Sequence, residues 1–324
     1  RIPGIGLDWT AVPASLTGIT DSASPYSTAL GSGALGATPT GISNTAVGWN
    51  AGAALSSGIH NVLVGAAAGT SLTTGGQNIA IGRSSLNDAT TSGNNVAIGH
   101  YTLADVTTGT GSNVGIGMQA GRQVTTGQYN VLAGFQTGYA LTTGSNNTLI
   151  GQNAGYSLST GSDNVAIGHF ALNNNVNGTG ITAIGAYAAI GANGTTNSVY
   201  VGKNAGYYTS GTQNVVIGYE AGDGFGANYQ YTTLVGTGTG SAAMTGDYNT
   251  AVGYEAGNAI VGGQRNTILG WAAGKFLTEG DYNVLLGSQT GYSITTGQRN
   301  VAIGDAALYT TTTGIQNVAI GTNA

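Results

Sequence analysis

The sequence contains no cysteine, so it can form neither a disulfide framework nor a thiolate metal site. Charge is also scarce, because 6% of the residues are charged where about 25% is usual. Seven Lys and Arg stand against twelve Asp and Glu, which gives a net charge of -5. Nucleic acid binding needs clustered cations, so no nucleic-acid partner is expected. No apolar run approaches the roughly 18 residues of a membrane span, so membrane insertion is not expected either.

Glycine is abundant where charge is missing. It supplies 59 of 324 residues, about 18% where roughly 7% is usual. Glycine costs about 1 kcal/mol per helical position relative to alanine, so the composition disfavours helices. Hydrophobic residues make up 40% of the chain, which is too many for a chain disordered by charge. The composition therefore favours an all-β protein with a sizeable apolar core.

A repeated phrase organises most of the chain: Asn, then Val or Thr, an apolar residue, Ile or Val, and Gly. Its eighteen glycines run from Gly31 to Gly321, and all but three of the intervals between them are 17 residues. Counting the Asn as position 0, position 2 is apolar or Gly, position 7 is small, and position 8 is Gly or Leu in all but one repeat. Position 11 is usually aliphatic. It is often followed by Thr-Thr, or a variant with Ser, and then by Gly. The pattern predicts a strand, a turn, a short strand and a second turn in each repeat.

Such a repeat is too small to bury its own apolar side chains, so the repeats must stack and share a core. The sequence therefore predicts an all-β protein, a β-solenoid or β-roll of about 18 stacked 17-residue rungs over residues 27–324. At about 4.8 Å per rung the stack would be on the order of 80 Å long. Residues 1–26 do not follow the period and hold three of the four prolines, Pro3, Pro13 and Pro25. We interpret them as a lead-in or the end of a preceding module.

The apolar residues at position 2 suggest more than one chain. Positions 1 and 3 share one face of the strand, and position 2 points to the other. Because position 2 is apolar as well and a coil this thin has room for one core, we expect leucines such as Leu132, Leu149 and Leu285 to face another chain. A parallel homotrimer, intertwined or side by side, is the simplest closed arrangement. A monomeric roll with apolar sides is the alternative.

The repeat phrases resemble those of a known class of proteins. Phrases such as Asn78-Ile-Ala-Ile-Gly82 and Asn95-Val-Ala-Ile-Gly99, together with Leu-Thr-Thr-Gly links such as residues 72–75 and 141–144, look like the repeats of phage tail fibres and related large surface proteins. In those proteins the repeats often precede an endosialidase-type self-cleaving intramolecular chaperone. The resemblance covers about residues 27–324. It implies a trimeric β-structured fibre shaft on a virion surface, joined at both ends to other fibre or tail proteins.

A weaker resemblance is to the head repeats of trimeric autotransporter adhesins, which use a similar phrase with a shorter period. It implies a different function, a head on a bacterial cell surface that binds host or matrix ligands directly. A third interpretation, an ice-binding or matrix solenoid, comes from the Thr-Thr rows, which resemble the flat threonine rows of ice-binding solenoids.

Sequence motifs for catalysis or cofactor binding are weak. Gly31-Ser-Gly-Ala-Leu-Gly36 spells GxGxxG but lacks the strand-to-helix context of a dinucleotide site. His100 and His169 are four rungs apart, roughly 19 Å, too far to share a metal ion. Glu220 and Glu255 are two rungs apart, roughly 10 Å, slightly beyond the spacing of an inverting carboxylate pair. We therefore expect no enzymatic activity, no cofactor and no metal.

Aromatic residues offer the one candidate ligand surface. Tyr139 and Tyr156 occupy position 9 of adjacent repeats, as do Tyr292 and Tyr309. Exposed aromatic rings can stack on sugars, so these four tyrosines are candidate contacts for host cell-surface glycans. The alternative is that tyrosine is simply a good residue for strands and turn edges.

A second group of tyrosines, Tyr129, Tyr248 and Tyr282, recurs at position 16. Taken together, the sequence predicts the structural shaft of a phage tail fibre, which projects a host-recognition tip from the virion.

Overall fold

The computed structural model describes residues 20–21, 26–36, 39–108, 111–224 and 226–324. Within these ranges the chain contains strands and turns and no helix, so the predicted all-β solenoid is confirmed. The chain divides into two compact units, residues 1–119 and residues 120–324. Most of the predicted lead-in, with Pro3, Pro13 and Pro25, lies outside the described residues.

Nearly every strand is three residues long and coincides with positions 1 to 3 of a repeat. The strands of the first unit are β1 Thr20–Asp21, β2 Thr28–Leu30, β3 Thr45–Val47, β4 Val62–Val64, β5 Ile79–Ile81, β6 Val96–Ile98 and β7 Val114–Ile116. The strands of the second unit are β8 Val131–Ala133, β9 Thr148–Ile150, β10 Val165–Ile167, β11 Thr182–Ile184, β12 Val199–Val201, β13 Val215–Ile217, β14 Thr233–Val235, β15 Thr250–Val252, β16 Thr267–Leu269, β17 Val284–Leu286, β18 Val301–Ile303 and β19 Val318–Ile320.

Each strand from β2 onward pairs in parallel with its sequence neighbours in the same unit, in a register of one repeat. In the second unit, Ala166 of β10 lies beside Ala183 of β11. The backbone N–H of Val165 donates to the carbonyl of Ile181 at 2.8 Å, and that of Gly185 donates to Ile167 at 2.8 Å. Equivalent residues of successive repeats therefore form columns. The short β1 differs, since it pairs with β2 in antiparallel fashion.

The middle residue of each strand points into the core of its own chain. Leu132, Leu149 and Leu285 are 0% exposed within a single chain. The expectation that these leucines face another chain is therefore wrong. The coil closes on itself, so that position 2 packs with positions 7, 8 and 11, and positions 1 and 3 are the ones that face outward. Ile150 at position 3, for example, is 39% exposed.

A ladder of asparagines runs through the core at position 0. Asn147 donates from its backbone N–H and from Nδ2 to Oδ1 of Asn130, at 3.0 Å each, and its Nδ2 also donates to the carbonyl of Gly161 at 2.9 Å. Asn164 repeats the pattern on Asn147 at 3.1 and 3.0 Å. Each buried amide is thus satisfied by the adjacent rungs, which a buried polar group requires. The column therefore fixes the rung-to-rung register as well as filling space.

Core volume is balanced between positions 2 and 8 in most rungs. Leu149 at position 2 goes with Gly155 at position 8, and in the next rung Ala166 goes with Leu172. Every Leu at position 8 has Ala at position 2, and every large residue at position 2 has Gly at position 8. A Cβ on Gly155 would lie 2.8 Å from Cδ1 of Leu149. The two positions therefore fill one shared space.

A double-mutant cycle tests this sharing. Leu149→Ala is expected to lower the free energy of unfolding by about 2–5 kcal/mol, as large-to-small core substitutions do. Gly155→Leu alone is expected to overpack the rung at a cost of about 1–3 kcal/mol and to add about 1–2 kcal/mol of left-handed strain, because Gly155 has φ +59. The double variant reproduces the arrangement of Ala166 and Leu172, so urea unfolding should show recovery of most of the loss. Strictly additive losses would contradict the shared space.

Two tyrosines fill the core where the period is irregular. The intervals on either side of Gly218 are 16 and 18 residues. Tyr200 at position 2 and Tyr229, from the longer repeat, are both 0% exposed. Burial raises the pKa of Tyr200 and raises that of Tyr229 well above its usual value. Both phenols therefore stay neutral, and their rings supply the bulk that regular rungs take from aliphatic residues.

Candidate functional site

The four predicted tyrosines form two stacked pairs in the second unit. The rings of Tyr139 and Tyr156 are 5.1 Å apart between centroids and inclined by 9°. Those of Tyr292 and Tyr309 are 5.0 Å apart and inclined by 6°. The separations are close to the spacing of adjacent strands, because parallel in-register pairing places the rings directly above one another. The two pairs are eight rungs apart, so they do not form one site.

Stacking changes what these rings can offer to a ligand. Within each pair, one face of each ring is covered by its neighbour. The edge of Phe276 also meets Tyr292, at 5.1 Å and 90°. A sugar cannot stack on the covered faces, so the pairs present ring edges, hydroxyl groups and their outermost faces.

A longer column of planar side chains lies at position 16. Tyr231 and Tyr248 stack at 5.0 Å and 5°. The guanidinium of Arg265 lies 5.2 Å from the ring of Tyr248 and 5.4 Å from that of Tyr282. Arg299 follows, 5.6 Å from the ring of Tyr282. The arrangement gives cation–π contacts in an exposed column.

The two arginines of this column were missed from the sequence. The signal that could have found them is their shared position, since Arg265 and Arg299 occupy position 16 like the tyrosines beside them. Asp281 lies at the preceding position, and its Oδ1 accepts the backbone N–H of Gln264 at 2.8 Å. Asp247 accepts that of Gln230 in the same way, also at 2.8 Å. Positive and negative groups thus alternate along the stack, and no purely cationic patch results.

The two histidines have local partners. In the first unit, Nε of Arg83 donates to Nε2 of His100 at 3.0 Å. In the second unit, His169 packs edge-on against Phe170 at 4.4 Å and Tyr187 at 5.3 Å between centroids. Across the described ranges, no group of three His, Asp or Glu side chains is placed to hold a metal ion.

The two glutamates singled out from the sequence also differ in surroundings. Glu255 accepts a hydrogen bond from Nζ of Lys275 at 2.6 Å, and this bond raises the pKa of Lys275. Glu220 lies near Asp223, whose pKa is raised first by burial and then by the charge of Glu220. The GxGxxG segment, residues 31–36, follows β2 as a turn rather than opening a helix.

No protein-family model matches this chain, and no curated protein matches it. The resemblance to tail-fibre repeats therefore depends on the repeat phrase itself. As for membranes, the described part of the chain has no helix that is long and apolar enough to cross one.

The threonine rows have a structural role. Oγ1 of Thr125 donates to the carbonyl of Thr142 at 3.2 Å, and Oγ1 of Thr142 donates to the carbonyl of Ser159 at 3.1 Å. These hydroxyls link successive turns, as Ser and Thr side chains often do in loops. The bonds account for the threonine at position 12 without an ice-binding function.

Proposed function

We propose that this chain is the structural shaft of a phage tail fibre, which projects a host-recognition tip from the virion. The observation that carries the proposal is the even repetition of the stabilising contacts. In the second unit the strand ladder recurs at every rung, and the buried asparagines recur in all rungs but three, where Ile181, Ser198 and Thr232 take their place. Stability of this kind is a sum over neighbouring rungs, so length can be added without a new core.

The proposal includes a parallel homotrimer and contacts with other fibre or tail proteins at both ends. The surface that supports self-association is the outer face of the strands, formed by positions 1 and 3. In the second unit it exposes aliphatic side chains such as Ile150, Ile167, Ile217, Leu269 and Ile303. With strands about 4.8 Å apart and each about 10 Å long, twelve strands form a face on the order of 600 Å². That is at the upper end of the apolar patches found on monomers, and its burial on two copies would remove on the order of 1,200 Å², the lower end of specific protein interfaces.

Sugar contacts on the sides of the shaft are a subsidiary part of the proposal. Tyr139, Tyr156, Tyr292 and Tyr309 would contact host glycans through their hydroxyls and outermost ring faces. Such contacts would be weak, because each pair offers little free aromatic surface.

Thermal resistance is the first expected consequence. A continuous ladder of backbone bonds and a repeated core should keep the β circular-dichroism signal of the assembled protein beyond about 50 °C, within the range where ordinary mesophile domains melt. Loss of the signal below that temperature, in a sample shown by light scattering to be assembled, would count against a shared core.

Immunogold electron microscopy tests the function itself. Antibodies against this chain should label fibres attached to phage tails in particles purified from the source culture. Label confined to bacterial cell surfaces would instead support the adhesin function.

A further inference from the structure

Two columns border the outer face of the second unit. The leading edge is the residue two positions before each strand, and the trailing edge is the residue two positions after it. For β18 these are Arg299 and Asp305, both exposed. For β16 they are Arg265 and Trp271, the latter 51% exposed.

Residues on the two edges match in chemistry at the same level of the stack. Arg299 and Asp305 carry opposite charges across β18. Asp163 and His169 flank β10, and the cation Arg265 is level with the aromatic Trp271. The remaining charged edge residue of the second unit, Lys203, is level with the amide of Asn197. No level places like charges on both edges.

Contacts within one chain do not pair the two edges with each other, although Arg265 and Arg299 also lie against tyrosines of their own column. Five residues separate the two edges at each level, and the three-residue strand among them is alone about 10 Å long. Among the described residues, the ion pair that forms joins Lys275 and Glu255, which lie on neither edge. Arg299 and Asp305 therefore match each other without touching.

A second copy of the chain brings the edges together. When copies are related by rotation about an axis parallel to the stack, levels are preserved and the outer faces turn towards the axis. The leading edge of one copy then meets the trailing edge of the next at the same level. We propose that these edge columns set the axial register in which copies of this chain associate, an inference that rests on the self-association proposed above.

The register needs such a device, because the apolar residues at positions 1 and 3 recur in every rung. A slip by one rung would still place aliphatic side chains against aliphatic side chains. The same slip would place Arg299 against Ser288 or Thr322, and Asp163 against Gln152 or Ala186. Neither direction of slip keeps an opposite-charge pair, so only the in-register assembly pairs opposite charges at the edges.

Cysteine cross-linking measures the register directly, since the chain has no cysteine of its own. One variant carries Asn146→Cys and Gln152→Cys, which flank β9; the first change removes a hydrogen bond from Nδ2 of Asn146 to Oδ1 of Asp163, and neither change alters a charge. The slip control carries Asn146→Cys and Phe135→Cys, one level apart. Under mild oxidation, the in-register variant should form disulfide-linked oligomers at least about tenfold faster, because a shift of about 4.8 Å takes the cysteines out of bonding range.

Charge reversal then tests which residues set the register. Adding Arg299→Asp to the in-register cysteine variant should slow its cross-linking at least about tenfold, because like charges would meet at every contact. Adding Asp305→Arg as well should restore the rate.

The outcomes separate this inference from the proposed self-association. If the parent chain sediments as a monomer, both proposals fail. If it sediments as an oligomer but the slip control cross-links as fast as the in-register variant, self-association stands and the register inference is overturned. If the protein is an oligomer and Arg299→Asp leaves the rate of cross-linking unchanged, the edge charges do not set the register.

Discussion

Leu149→Asp should destroy the fold around its rung, whereas Ile150→Asp, one residue later, should leave the fold intact and disperse the assembly. Leu149 is 0% exposed and would place an unpaired carboxylate in the core, at a cost of about 3–5 kcal/mol. Ile150 is 39% exposed on the outer face, so a carboxylate there stays hydrated in a single chain. In the proposed trimer the same carboxylate would be buried three times around the axis. Circular dichroism and sedimentation of the two variants give the two readouts.

An outward control completes this comparison. Thr143→Asp changes an exposed bend residue, outside both the core and the strand face, and should alter neither the fold nor the sedimentation. If the Ile150→Asp protein both folds and assembles, the outer face is not the contact between copies. A folded Leu149→Asp protein would contradict the placement of position 2 in the core.

Gly168→Ala should be among the most damaging single-methyl substitutions in the second unit. Gly168 has φ +135, a conformation that is essentially confined to glycine, and an added Cβ would lie 2.6 Å from the carbonyl oxygen of Gly185. That neighbour is backbone of the next rung and cannot rotate away. We expect a loss of about 3 kcal/mol or more in the free energy of unfolding, measured by urea titration.

Gly194→Ala is the matched control. Gly194 also has positive φ, at +75, but an added Cβ would have no heavy atom within 4 Å. Only the strain of a left-handed alanine remains, about 1–2 kcal/mol. Equal losses at the two sites would show that close approach between rungs is not what demands glycine after each strand.

The period predicted the fold better than it predicted which way the side chains point. Positions 1, 2 and 3 are all largely apolar, so alternation alone gave two candidate core faces. The size coupling of Leu149 with Gly155, and of Ala166 with Leu172, was the signal that positions 2 and 8 share one interior. This signal is a correlation of residue size between two repeat positions, so the residues found at either position alone do not reveal it.

The candidate ligand surface was predictable in part. Tyr139 and Tyr156 share a repeat position, and this correctly predicted that they are neighbours, because parallel pairing places the same position of successive repeats side by side. What the period cannot give is ring orientation, and the face-to-face stacking limits contact with sugars. Arg265 and Arg299 were missed because a search for aromatic residues omits the cations that stack with them.

The balance of core volume within single rungs also bears on inheritance. Since most rungs, such as that of Leu149 and Gly155, balance positions 2 and 8 and neighbouring rungs fill the rest, removal or duplication of a whole repeat by recombination should leave the core largely filled. Alleles would then differ in length by steps of about 4.8 Å while folding equally well. Chains with different numbers of repeats would lose their matched edge levels beyond the altered point, so co-expressed alleles should sort into assemblies of identical chains.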